Sequence, residues 1–142
     1  MTTVTKTSAL ASSNSAIRSV GAVLAGLVTV VAGSSAIDAI LHATGIYPAG
    51  PNMAASLYVV AVAYRSAIQI AGGWITGRLS PRNPRAHVAV LAGIGTVGAL
   101  GGVAAATDGT LGPLWYPLML LVLAIPTVVA GGRLAGRQVQ LR

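Results

Sequence analysis

Polar and apolar positions along the chain fall into long apolar runs separated by short polar segments. Four runs stand out, at 19–43, 54–77, 88–107 and 114–134, of 25, 24, 20 and 21 residues. A helix needs about 20 apolar residues to cross ~30 Å of hydrocarbon, so each run predicts a transmembrane helix. The segments between them, TGIYPAGPNM, RLSPRNPRAH and DGTLGP, have the Pro and Gly content of turns. The expected fold is all-α, a transmembrane four-helix bundle over 18–142. Residues 1–17, rich in Ser and Thr and without apolar periodicity, read as a disordered tail. The competing reading of the first run is a signal peptide cut after Ser34-Ser35-Ala36, but the apolar pattern continues through Ile37, Ala39, Ile40 and Leu41.

Composition agrees with the pattern: 54% of residues are hydrophobic and 8% charged, with mean hydropathy +0.77. The net charge of +7 would suggest nucleic-acid binding in a polar chain. Here the distribution of the cations argues otherwise. Lys6 and Arg18 precede the first run, Arg78, Arg82 and Arg85 lie between the second and third, and Arg133, Arg137 and Arg142 end the fourth. The opposite loops hold no Lys or Arg, only Asp108, so the positive-inside rule predicts cytoplasmic N- and C-termini. Tyr47, Trp115 and Tyr116 at one interface and Trp74 at the other fit an aromatic belt.

Ala22-Val-Leu-Ala-Gly26 recurs as Ala89-Val-Leu-Ala-Gly93, and Thr29, Val30 and Ala32 match Thr96, Val97 and Ala99 at the same offset of 67. The ends of the second and fourth runs, Ala71-Gly72-Gly73 to Arg78 and Ala130-Gly131-Gly132 to Arg137, match at an offset of 59. This predicts two parallel helical-hairpin repeats, with coincidence in a low-complexity apolar chain as the alternative. Gly73-x-x-x-Gly77, Gly98-x-x-x-Gly102 and Gly132-x-x-x-Gly136 predict close helix packing, within one chain or between two copies. Gly93-Ile-Gly-Thr-Val-Gly98 satisfies the dinucleotide pattern G-x-G-x-x-G but lies inside an apolar span with no strand before it. Pro126 removes a backbone donor in the fourth run, where a kink is expected.

Asp38 and Arg65 are the acid and base embedded within spans, and intramembrane charges are functional candidates by default. Side chains lean toward their own helix N-terminus, so Asp38 and Arg65, on antiparallel spans, lean toward each other. The expected intramembrane polar pair is Asp38–Arg65, with His42 and Tyr64 as polar neighbours. Its role is either to neutralise two costly charges or to serve as a site for substrate or protons. Arg82 and Arg85 are the expected contacts to anionic lipid head groups. With no Cys or Glu, and no catalytic triad, P-loop or zinc motif, the sequence predicts no enzyme, no metal and no cofactor. The expected partners are the lipid bilayer and a second copy or another membrane protein, not nucleic acid. A structural or accessory subunit is favoured over a small transporter or channel using Asp38 and Arg65, and over a lipid-modifying enzyme.

Asp38-Ala-Ile-Leu-His42-Ala-Thr-Gly-Ile-Tyr-Pro48, Ala63-Tyr-Arg65, Ala71-Gly-Gly-Trp74, Gly77-Arg-Leu-Ser-Pro-Arg-Asn-Pro-Arg-Ala-His87 and Leu111-Gly-Pro-Leu-Trp-Tyr-Pro117 together resemble an uncharacterised family of short, four-span bacterial inner-membrane proteins. The resemblance covers nearly all of the chain past residue 18. It implies a bacterial inner-membrane location and carries over no activity and no site.

Overall fold

A computed structural model describes the backbone of residues 3–50, 53–107 and 112–140, and the side chains of 15–50, 53–107 and 112–136. The described residues form four helices and no strand: α1 (Thr3–Ala43), α2 (Ala55–Leu79), α3 (Pro84–Ala105) and α4 (Trp115–Gln140). Each contains a segment long and apolar enough to cross a membrane: Ser15–Ala43, Ala55–Leu79, Pro84–Ala105 and Trp115–Gly136. The chain is therefore a multi-pass membrane protein with a transmembrane four-helix bundle.

The backbone is already helical within the stretch read as a tail. Helix α1 begins at Thr3, far ahead of Arg18. Extending a helix that a long apolar span has already nucleated costs far less than starting one, and a segment without apolar periodicity can be carried along. The same helix runs without interruption through Ser34, Ser35 and Ala36. Helix α4 likewise continues through Pro126.

The turn between α2 and α3 is the tightest. Both the backbone N–H and the hydroxyl of Ser80 donate to the Thr76 carbonyl, at 3.1 and 2.6 Å, closing the end of α2. Asn83 takes a left-handed conformation (φ 48°), which Asn tolerates better than most residues, and Pro84 starts α3 with its preset φ.

Packing partners fix the helix directions. On α1 and α2, Gly26 meets Gly72 and Thr76, Gly33 meets Ile68, and Asp38 meets Tyr64 and Arg65, so the two are antiparallel. On α2 and α4 the partners rise together: Tyr58 with Tyr116, Gln69 with Thr127, Gly73 with Val128, Gly77 with Gly132. These two helices are parallel and share the most extensive interface in the bundle. Helix α1 packs on α2 and α3 on α4, while α1 and α4 do not touch among the described residues.

The interior is built from small residues and the surface from large ones. Ala22, Ala61, Ala92, Ala124 and Ala135 are buried, and the largest fully buried side chain is Thr76. Val20, Leu24, Val28 and Val31 form an exposed stripe on α1, as do Val90, Ile94 and Val97 on α3. In lipid no hydrophobic force drives helices together, so small residues that permit backbone contact are placed inside and bulky apolar ones meet the acyl chains.

The hairpins α1–α2 and α3–α4 lie side by side in the same direction, as a parallel repeat requires. Their matched glycines nevertheless occupy different positions. Gly72 faces Val30 and Gly26 of α1, whereas its sequence counterpart Gly131 faces Ile70 and Trp74 of α2. Gly73 faces Val128 of α4, but Gly132 faces Val88 of α3. A strict two-fold would send Gly131 to α3 and Gly132 to α2. One residue of register is about 100° of helix rotation, enough to exchange these faces.

The three GxxxG pairs also separate. Gly73 and Gly77 both sit in the α2–α4 seam, and Gly132 packs on Val88. At Gly98, Gly102 and Gly136 a Cβ would meet nothing within 4 Å. Gly98→Ala and Gly102→Ala are therefore expected to keep the monomer fold, gaining up to about 1 kcal/mol each from helix propensity. Thermal unfolding in mild detergent checks this; a loss of stability that depends on protein concentration would instead place the pair between two copies.

Candidate functional site

The candidate site lies in the half of the bundle nearer the α1–α2 loop. Asp38 sits one and a half turns before the end of α1, and Tyr64 and Arg65 lie on α2 beside it. The Tyr64 hydroxyl donates to Asp38 Oδ1 and Arg65 Nη2 donates to Asp38 Oδ2, so each carboxylate oxygen has its own donor. Arg65 and Asp38 form an ion pair with side chains 29% and 27% exposed. The pair thus offsets two intramembrane charges that would each cost about 3 kcal/mol if left alone.

Aromatic residues enclose the pair from the loop side. Arg65 Cζ lies 5.9 Å from the Tyr64 ring centroid. Tyr47, in the α1–α2 loop and only 4% exposed, donates its hydroxyl to the Leu57 carbonyl at 3.2 Å. Burial raises the Tyr47 pKa above that of an ordinary phenol, with the Tyr64 hydroxyl opposing the shift. Tyr47 therefore stays neutral beyond the pH at which a free tyrosine ionises, and stability falls as pH rises from the ordinary phenol value through that raised one. Tyr58, Trp115 and Tyr116 form an edge-to-face and tilted cluster with centroids 5.2 to 6.4 Å apart. Gly112, at φ +93°, lies so close to the Tyr58 ring that a Cβ would overlap it.

His42 stands at the rim beside Asp38, as a polar neighbour. It is exposed, and its Nδ1 lies 2.8 Å from the Asp38 backbone carbonyl rather than reaching the carboxylate. A helical residue four positions on is well placed to bond that carbonyl. The ring meets Tyr47 edge-on at 5.4 Å. Among the described residues no three His, Cys, Asp or Glu side chains converge as a metal site would need. Asp108 lies outside the described residues.

Below the pair is a polar level that apolar-run counting does not detect. Thr127 Oγ1 lies 2.5 Å from Gln69 Oε1 and 2.6 Å from the Leu123 carbonyl. One hydroxyl hydrogen cannot serve both oxygens; with the Gln69 amide turned so that its NH₂ donates, Thr127 is free to donate to Leu123. Gln69 stands one turn from Arg65 on α2, the one signal in the sequence that could have linked the two. Arg65 Nε and Ser66 Oγ are buried without hydrogen-bond partners. Further along, the glycine contacts at Gly26, Gly72, Gly73 and Gly131 close the bundle.

Arg78, Arg82, Arg85 and Arg133 are all exposed at the opposite end, where α2 ends, α3 begins and α4 finishes its span. Arg78 lies over the Trp74 ring at 5.9 Å. The structure brings Asp38, Tyr64 and Arg65 together, keeps His42 at the rim, and separates Arg82 and Arg85 from them by most of a span. Compared with known proteins, the chain matches no family model, no curated protein and no solved structure.

Proposed function

We propose that this chain is a non-enzymatic structural or accessory subunit of a membrane assembly, seated in a bacterial inner membrane with both termini cytoplasmic. The observation that carries this reading is the engagement of Asp38 within the chain: each carboxylate oxygen accepts a bond from a residue of α2. A charge so engaged joins α1 to α2. The orientation rests on the clustering of Arg78, Arg82, Arg85 and Arg133 at one end, the pattern that cytoplasmic loops carry. The bacterial assignment rests on the sequence resemblance.

A second reading is a small transporter or channel with Asp38 and Arg65 as its polar site. The unpartnered Arg65 Nε and Ser66 Oγ, with the Gln69–Thr127 level beneath, favour it. Purification in mild detergent with mass analysis of the intact complex separates the two. A stoichiometric membrane-protein partner or second copy is the expected result; a solitary chain whose reconstituted vesicles show a flux abolished by Asp38→Asn would establish the transporter instead.

A further inference from the structure

We propose that the groove between the start of α3 and the end of the α4 span holds one anionic phospholipid. The groove encloses about 1000 Å³. Val88 and Val129 supply an apolar wall, Arg85 and Arg133 line it with charge, and Gly132 and Gly136 leave it room. Each arginine stands within one helical turn of a valine on its own helix, three residues apart on α3 and four on α4, so charge and apolar surface share a face.

Three features select the occupant. First, Asp38 is the only acid among the described residues and is bound to Arg65 at the other end of the bundle, so no acid there balances Arg85 and Arg133. Second, both arginines lie at the limits of the membrane-crossing segments Pro84–Ala105 and Trp115–Gly136, the depth of phosphate head groups. Third, the apolar wall runs from the arginines toward the membrane interior. A soluble anion would satisfy the arginines and leave the exposed Leu134 and the half-buried Val129 of the lining without an apolar partner. An anionic lipid matches both the charge and the apolar lining.

Arg82 does not line this groove. The expected head-group pair of Arg82 and Arg85 is thus reassigned to Arg85 and Arg133, which the crossing of α3 and α4 brings together. Diffuse surface attraction would treat all three arginines alike; a site would not.

The test is mass analysis of the full chain in mild detergent with added phosphatidylglycerol, phosphatidylcholine or inorganic phosphate. One phosphatidylglycerol should be retained in preference to phosphatidylcholine, and phosphate should not displace it. Arg85→Gln with Arg133→Gln should weaken retention about tenfold or more, while Arg82→Gln changes it by less than about twofold. Gly136→Leu, which fills the groove at a position open to a side chain and leaves every charge in place, should weaken it as well. Equal retention of phosphatidylcholine, displacement by phosphate, an Arg82→Gln loss as large as that of the double variant, or undiminished binding in Gly136→Leu would each overturn the proposal.

Discussion

Gly73→Ala and Gly131→Ala are each expected to destabilise the bundle by about 3 kcal/mol or more, at the upper end of overpacking effects. A methyl group on Gly73 would overlap the Val128 carbonyl oxygen, and one on Gly131 the Ile70 carbonyl oxygen. A clashing side chain could rotate away, but these neighbours are backbone held within helices, so α2 and α4 must separate. That seam is the largest in the molecule, and its separation forfeits the van der Waals contact that replaces hydrophobic drive in lipid. Thermal unfolding in mild detergent, compared with Gly98→Ala, checks the claim. The same Gly-to-Ala change is expected to act in opposite directions at the two places, since a Cβ at Gly98 meets nothing within 4 Å.

Asp38→Asn and Arg65→Gln are expected to be as damaging, about 3 to 5 kcal/mol each, because either one leaves its partner charged and unpaired within the span. Asp38→Asn strands a guanidinium whose Nε already lacks a partner. Arg65→Gln leaves the carboxylate with the Tyr64 hydroxyl alone. Tyr64→Phe should cost less, about 1 to 2 kcal/mol, since the ion pair survives. Yield of folded protein after extraction, and its unfolding in detergent, should rank the three in that order.

The parts of this molecule legible in the sequence are those carried by run length and by rare charges. Four apolar runs between Pro- and Gly-rich turns were enough to place the helices, because length in a bilayer is set by the hydrocarbon. Asp38 and Arg65 could be paired because each was conspicuous and the lean of helical side chains brought them together. Other features had no such signal. Gln69, Thr127 and Thr76 are uncharged polar residues within apolar runs and scarcely alter hydropathy, so the polar level below the pair emerged only from helix rotation. Which glycines pack is a matter of rotation too: Gly72 and Gly131 occupy matching places in the repeat and face different helices. The helical start at Thr3 reflects propagation from the span, not anything in the local pattern. The joining of Arg85 with Arg133 depends on how α3 crosses α4.

Asp38 and Arg65 act as a neutral tie between α1 and α2. The most direct test of that tie is the exchange Asp38→Arg with Arg65→Asp in one chain, measured as folded yield and stability beside the two single changes. The exchange is expected to recover part of what either single change loses, since opposite charges again face each other across the same seam. An exchanged protein as unstable as the sum of its single variants, or single variants that fold like the parent, would contradict it.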